Sequence, residues 1–139
     1  RLKSSLYNLQ RHSLLAKFCH YFYTLNTLQQ IAANTYLCTL TLNAEHPIFK
    51  GHFPNNPVTP GVCMMQIVKN LTEQITGHQL QLTQMLNVKF TALINPELHP
   101  FLQLSLSLQT QDGQVLVKSD TSYENTIALK LTNSYKILS

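Results

Sequence analysis

His52 and Gln66 are the residues of this chain whose types and spacing bear most on chemistry. A histidine can take up a proton near neutral pH. His52 lies in Gly51-His52-Phe53-Pro54-Asn55-Asn56-Pro57-Val58-Thr59-Pro60-Gly61-Val62, a loop stiffened by Pro54, Pro57 and Pro60. The loop runs into Cys63-Met64-Met65-Gln66-Ile67-Val68, an apolar stretch with one polar residue, fourteen positions beyond His52. A carboxylate at position 66 would complete an acid/base pair with the imidazole. The Gln66 carboxamide can hydrogen-bond a hydroxyl or a water, but it protonates neither at pH 7. Taken singly, His52 could cap a turn, Gly61 could be a helix-start glycine, and Gln66 could be a buried amide bonded to backbone.

The elements around these residues are legible in the pattern. Pro60-Gly61 opens a helix that runs to about Thr76 and stops at Gly77. Its first two turns are apolar nearly all round, which predicts burial on most sides. Before the loop, Tyr36 to Leu42 alternates with Tyr36, Cys38, Leu40 and Leu42 on one face, the period of a strand. An earlier strand is expected over Phe22 to Ala32. Residues 43–60 hold four prolines and read as an ordered surface loop.

Four strand-like runs follow the helix. Gln84 to Ile94 places Leu86, Val88, Phe90, Ala92 and Ile94 on one face. Phe101 to Thr110 alternates Leu102, Leu104, Leu106 and Leu108 with polar residues. Asp112-Gly113 signals a tight hairpin into Gln114 to Tyr123, and Thr126 to Leu138 is expected to close the sheet. One buried helix followed by a four-strand antiparallel meander predicts an α+β domain with the sheet curled around the helix. Exposed strand edges favour a dimer. The expected division is an N-terminal extension of unknown role over 1–20 and one folded domain over 21–139.

Composition narrows the function classes. The chain has 139 residues, 44% of them hydrophobic and 12% charged, enough for one real core. It has no apolar run long enough for a membrane span. The formal charge is +4, partly from Arg1, Lys3, Arg11 and Lys17, which face no acid in the first twenty residues. That surplus suits an acidic protein partner. Aromatics do not interleave with the basic residues, so no nucleic-acid partner is expected. Cys19, Cys38 and Cys63 lack metal-ligand spacing and read as thiols in a reducing compartment. His46, His78 and His99 are isolated, so no metal site is expected. Cys63 reads as a packed thiol, and Met64 and Met65 as core filler overlapping any slot lining.

The run Gly51-His52-Phe53-Pro54, with Pro57, Pro60-Gly61 and Phe49, resembles the β-hydroxyacyl-acyl-carrier-protein dehydratases of the hot-dog superfamily. The resemblance covers roughly residues 21–138 and implies a hot-dog fold, a long central helix wrapped by a curled antiparallel sheet. By that likeness, His52 removes the Cα proton of a β-hydroxyacyl thioester. The Gly61 N–H polarises the thioester carbonyl, helped by the helix dipole. Gln66 stands where the family has the acid that protonates the departing hydroxyl. Phe53, Pro60, Val62 and Met65 would line the acyl slot. The implied substrate is an acyl chain on the phosphopantetheine arm of an acyl carrier protein. A homodimer or a heterodimer with another hot-dog subunit, a cytoplasmic location and no bound cofactor are also implied.

The departure at Gln66 leaves several outcomes open. The chain could bind acyl thioesters without dehydrating them. It could support a partner that supplies the acid. It could hydrolyse thioesters with Gln66 positioning water, or it could dehydrate slowly with a substitute acid. Glu73 lies about 10 Å further along the helix at 1.5 Å per residue, too far for direct replacement. The position of Glu45, seven residues before His52, is not fixed by the sequence.

Overall fold

A computed structural model describes residues 22–49 and 57–139, and among these it shows six strands, one α-helix and one 3₁₀ turn. In chain order they are β1 (Tyr23–Ala32), β2 (Thr35–Leu42), a 3₁₀ turn (Pro47–Phe49), α1 (Gly61–Thr76), β3 (Leu80–Phe90), β4 (Phe101–Gln111), β5 (Gln114–Tyr123) and β6 (Thr126–Ile137). The strands form one antiparallel sheet in the order β1-β2-β4-β5-β6-β3. One face of the sheet packs on α1. This is the hot-dog arrangement that the motif implied. Residues 1–20, expected as an extension, lie outside the described residues, and so does Cys19.

The strand faces follow the alternation of the sequence. Leu102, Leu104, Leu106 and Leu108 of β4 point into the core, beside Cys38, Leu40 and Leu42 of β2. Each such side chain contributes about 1.5–3 kcal/mol by leaving water. The β4–β5 connection has positive φ at Asp112 (53°) and Gly113 (76°). That is a type I′ turn, whose twist matches the flanking strands. The helix presents Cys63, Met64, Ile67, Val68, Leu71 and Thr72 to the sheet. Thr72 stays buried without penalty because its hydroxyl donates back to the Val68 carbonyl at 2.7 Å. Gly77 closes the helix in the left-handed conformation, its N–H bonded to the Glu73 carbonyl at 2.8 Å. Both described cysteines are buried, and burial pushes the Cys38 thiol up to about 11.

Three expectations are corrected. The runs after the helix are not a four-strand meander. β3 crosses to the far edge and pairs with β6, while β4 pairs with β2, so β6 does not close the sheet. The third strand spans Leu80–Phe90, not 84–94, so Ala92 and Ile94 have left it. Its two register shifts add Thr83 and Leu86. Residues directly opposite in an antiparallel pair share a face. Partnering with Ile137, Tyr135, Asn133, Leu131 and Leu129 therefore puts Leu80, Leu82, Met85, Val88 and Phe90 on the helix side. Leu86, expected on that face, is a bulge residue.

The third correction concerns burial of the first helical turns. Val62 is 54% exposed, and Met65 and Gln66 are half-buried. The sheet extends past the helix on the β3 side. Met85 there is 61% exposed and Phe90 48%. An apolar strip of β3 and the outer stripe of α1 thus stand uncovered in the single chain.

Candidate active site

The start of α1 is built to leave backbone donors unpaired. Pro60, extended at φ −61° and ψ 138°, carries no capping side chain. The Cys63 and Met64 N–H groups both turn to the Pro60 carbonyl, at 3.0 and 3.3 Å. The Gly61 and Val62 N–H groups find no acceptor among the described residues. This is the usual deficit of a first helical turn, and the helix dipole adds roughly half a positive charge there.

A cavity of about 390 Å³ opens at this helix end. Val58 to Val62 form one wall, and Phe90 with Ala92, Leu93 and Ile94 form the other. The walls are tied by the Thr59 N–H, which donates to the Ile94 carbonyl at 2.8 Å. Tyr123 fixes the second wall by donating its hydroxyl to the Leu93 carbonyl at 3.0 Å, while its ring stacks on His99. Thr59 Oγ1 is buried in the wall with no partner among the described residues. A buried hydroxyl left this way calls for a polar group from elsewhere.

Phe90 meets the helix closely. A methyl group added to Gly61 would stand 2.9 Å from Phe90 Cζ and 3.1 Å from Cε2. Only glycine lets the ring lie against the backbone that carries the free donors.

The structure sorts the expected site residues into three groups. Pro60, Gly61 and Val62 come together in the cavity wall. Met65 and Gln66 stand one turn further along and do not line it. His52 and Phe53 lie outside the described residues. Gln66 Nε2 donates to Asn70 Oδ1 at 2.9 Å, and Asn70 Nδ2 donates to the Tyr23 hydroxyl at 3.3 Å. The amide is thus held in a polar chain reaching from the helix to the start of β1.

Met65 leans the other way, its Sδ 3.9 Å from Asn133 Nδ2, which also donates to the Tyr135 hydroxyl at 3.2 Å. Burial pushes the Tyr135 phenol up to about 12, against the Asn133 hydrogen bond that lowers it, with Glu73 adding a small rise. The phenol is therefore neutral across the physiological range. Thr59, Leu93 and Ile94 went unremarked as site residues in the sequence. Thr59 lies inside the proline motif, which was the available signal. Leu93 and Ile94 reach the cavity only through the fold.

The comparisons with known proteins agree with the fold. The family model described as ApeI-like, ApeI dehydratase, matches residues 28–128, well over half of the chain. The chain belongs to the ApeI-like dehydratase family. With it stand the 3-hydroxyacyl-acyl-carrier-protein dehydratases FabZ. The FabZ of Oleidesulfovibrio alaskensis is 30% identical over 108 residues, 68% of this chain and 69% of that protein. The FabZ of Lactobacillus helveticus is 28% identical over 100 residues, 66% of each chain. The chain thus spans about two thirds of the length of these curated relatives. Among solved structures, the dehydratase heterocomplex ApeI:P from Xenorhabdus doucetiae superposes with a TM-score of 0.66 at 19% identity, covering 81% of this chain and 96% of that one. At that identity the likeness concerns the fold. This member of the ApeI-like family is a dehydratase-like hot-dog protein, and no helix among its described residues is long and apolar enough to cross a membrane.

The Gly61–Phe90 contact makes a first prediction for this ApeI-like chain. Gly61→Ala is expected to hold or slightly raise the melting temperature. Alanine favours helix by up to about 1 kcal/mol, and the half-exposed Phe90 ring can swing away. The displaced ring then enters the cavity. Affinity for a short acyl thioester should fall about tenfold, equivalent to about 1.4 kcal/mol. Adding Phe90→Ala should recover it. Thermal unfolding and ligand titration of the three proteins check this.

Proposed function

We propose that this chain binds β-hydroxyacyl thioesters with the carbonyl at the Gly61 N–H and the acyl chain along the apolar walls beside α1. The observation that carries the reading is the pair of unpartnered N–H groups opening into an apolar cavity at the end of the family motif. Such donors stabilise the oxyanion that develops when a proton leaves Cα. In this reading His52 is the base, and Phe53, Pro60 and Val62 contact the acyl chain. The substrate arrives on an acyl carrier protein in the cytoplasm, at the folded unit formed by residues 21–139. Dehydration by this chain alone is weak, because Gln66 cannot give the departing hydroxyl a proton.

The test is to mix the protein with a β-hydroxyacyl carrier substrate and follow enoyl product and free acid separately. Slow enoyl formation that vanishes in His52→Ala is the expected result. Release of free acid instead would replace the dehydratase reading with a thioesterase.

A second reading is a subunit that works beside another hot-dog chain. It is favoured by the uncovered helix-side strip of β3 and by the heterocomplex named for its structural neighbour. Pairing through the β3 edge would bury Leu82, Met85, Val88 and Phe90. A partner that brings a carboxylate within reach of the site would restore the missing proton donor.

A further inference from the structure

We propose that the outward face of β1, β2, β4 and β5 carries a binding site for a neutral sugar ring, apart from the thioester cavity. A hollow of about 580 Å³ lies on this face and shares no lining residue with the cavity at the start of α1. Leu40 of β2 and Leu102 of β4 are paired and buried beneath it. Their chain neighbours point the other way, which places Thr39, Thr41, Phe101 and Gln103 on the outward side. Ser122 of β5 joins them opposite Gln103. Asn26, the extra residue between Leu25 and Thr27 in β1, comes in from the sheet edge.

Phe101 stands out in this setting. Its ring is 71% exposed, and apart from the buried Leu40 and Leu102 every other lining residue is polar. A bare ring offers a flat apolar surface with a negative face, which suits the C–H groups of a pyranose. Around it the hydrogen-bonding groups are held in place. Thr41 Oγ1 donates to Asn26 Oδ1 at 2.8 Å, which leaves Asn26 Nδ2 to donate to a ligand. Thr39 Oγ1 lies 2.6 Å from Thr27 Oγ1. The Gln103 side-chain amide forms no hydrogen bond among the described residues and keeps both its donor and its acceptor. Sugar hydroxyls both donate and accept, and this mixed set answers both.

The lining disfavours other ligands. Among the described residues no lysine, arginine or histidine lines the hollow, and its one charged group is the exposed Glu124 carboxylate, so phosphates and carboxylates are repelled. Glu124 Oε1 stands 3.8 Å from His99 Nδ1 and keeps acceptor capacity for a hydroxyl. An ammonium ligand calls for a cage of aromatic rings, and Phe101 is the single ring among the described lining residues. An acyl chain calls for apolar walls, which Leu40 and Leu102 do not supply because their side chains are buried on the helix side of the sheet. Leu37, an outward leucine of β2, pairs with Ser105 one row further on and does not line the hollow.

The test titrates the isotope-labelled full chain with methyl β-D-glucopyranoside, whose axial C–H groups leave flat apolar faces, and with cellotetraose, following backbone amide shifts by NMR. Saturable shifts gathered at Asn26, Thr39, Thr41, Gln103 and Ser122 are expected, with the tetrasaccharide bound more tightly. Phe101→Ala should weaken binding at least about tenfold, the contribution of covering an aromatic side chain. Phe101→Trp should bind at least as tightly as wild type, and Gln103→Ala more weakly. All three variants should melt with the wild type, because these side chains are exposed in the folded chain. No saturable shift with either sugar would overturn the site, as would equal binding by Phe101→Ala and wild type. So would shifts at these residues with choline chloride in place of the sugars. If Phe101→Ala instead shifts sedimentation to a smaller species without changing sugar binding, the ring is a contact between copies and the sugar site falls.

Discussion

Gln66→Glu is expected to raise the rate of β-hydroxyacyl dehydration by about 10²–10⁴-fold, the usual worth of a general acid. The site can take the change without new volume. At present Gln66 Nε2 donates to Asn70 Oδ1, and Asn70 Nδ2 donates to Tyr23. A carboxyl group at position 66 offers acceptor oxygens instead. Asn70 then turns its amide over, gives its N–H to the new carboxyl, and accepts from the Tyr23 hydroxyl, which can donate as well as accept. The chain of hydrogen bonds survives with reversed polarity. Because only the protonated acid helps the leaving hydroxyl, the variant's rate should fall as pH rises through the new carboxyl's pKa. The wild type should lack that limb. Enoyl formation followed across pH decides it, and an unchanged rate would show that the missing acid is not what limits turnover.

Met85→Asp with Val88→Asp should convert an associated protein into a monomer. In the single chain these side chains are 61% and 37% exposed, so the fold does not need them buried and the variant should stay folded. Pairing across the β3 edge would bury them, and a carboxylate buried without a partner costs several kcal/mol. Sedimentation velocity at micromolar concentration separates the outcomes. A wild type that is already monomeric, alone and with a candidate hot-dog partner, would remove the basis for the subunit reading.

The sequence was most legible where the determinants are local. Pro60-Gly61 and Gly77 bracket α1 because prolyl geometry and a left-handed residue act within a turn. Asp112-Gly113 reads as a hairpin for the same reason. The leucines of β4 sort cleanly because that strand keeps an unbroken period of two. β3 was misplaced because two inserted residues break the period, and because pairing with β6 rather than β4 is decided some forty residues away. The site was half legible. Gly61, Pro60 and Val62 share a wall because they are neighbours in the chain. Phe90 and Leu93 reach them only after the sheet has formed, and no spacing rule anticipates that contact.

The bulges at Thr83 and Leu86 carry a consequence for how this chain can vary. Together they restore parity, so that Leu80 and Phe90 face the same side although ten residues and two irregularities separate them. Loss of one residue from this stretch would send the greasy side chains on one side of the gap toward water and Lys89 or Gln81 toward the helix. Loss of both would return the strand to phase, shortened but correctly oriented. Length changes in this segment are therefore tolerated in twos, as they would be in any ribbon whose two sides have different jobs.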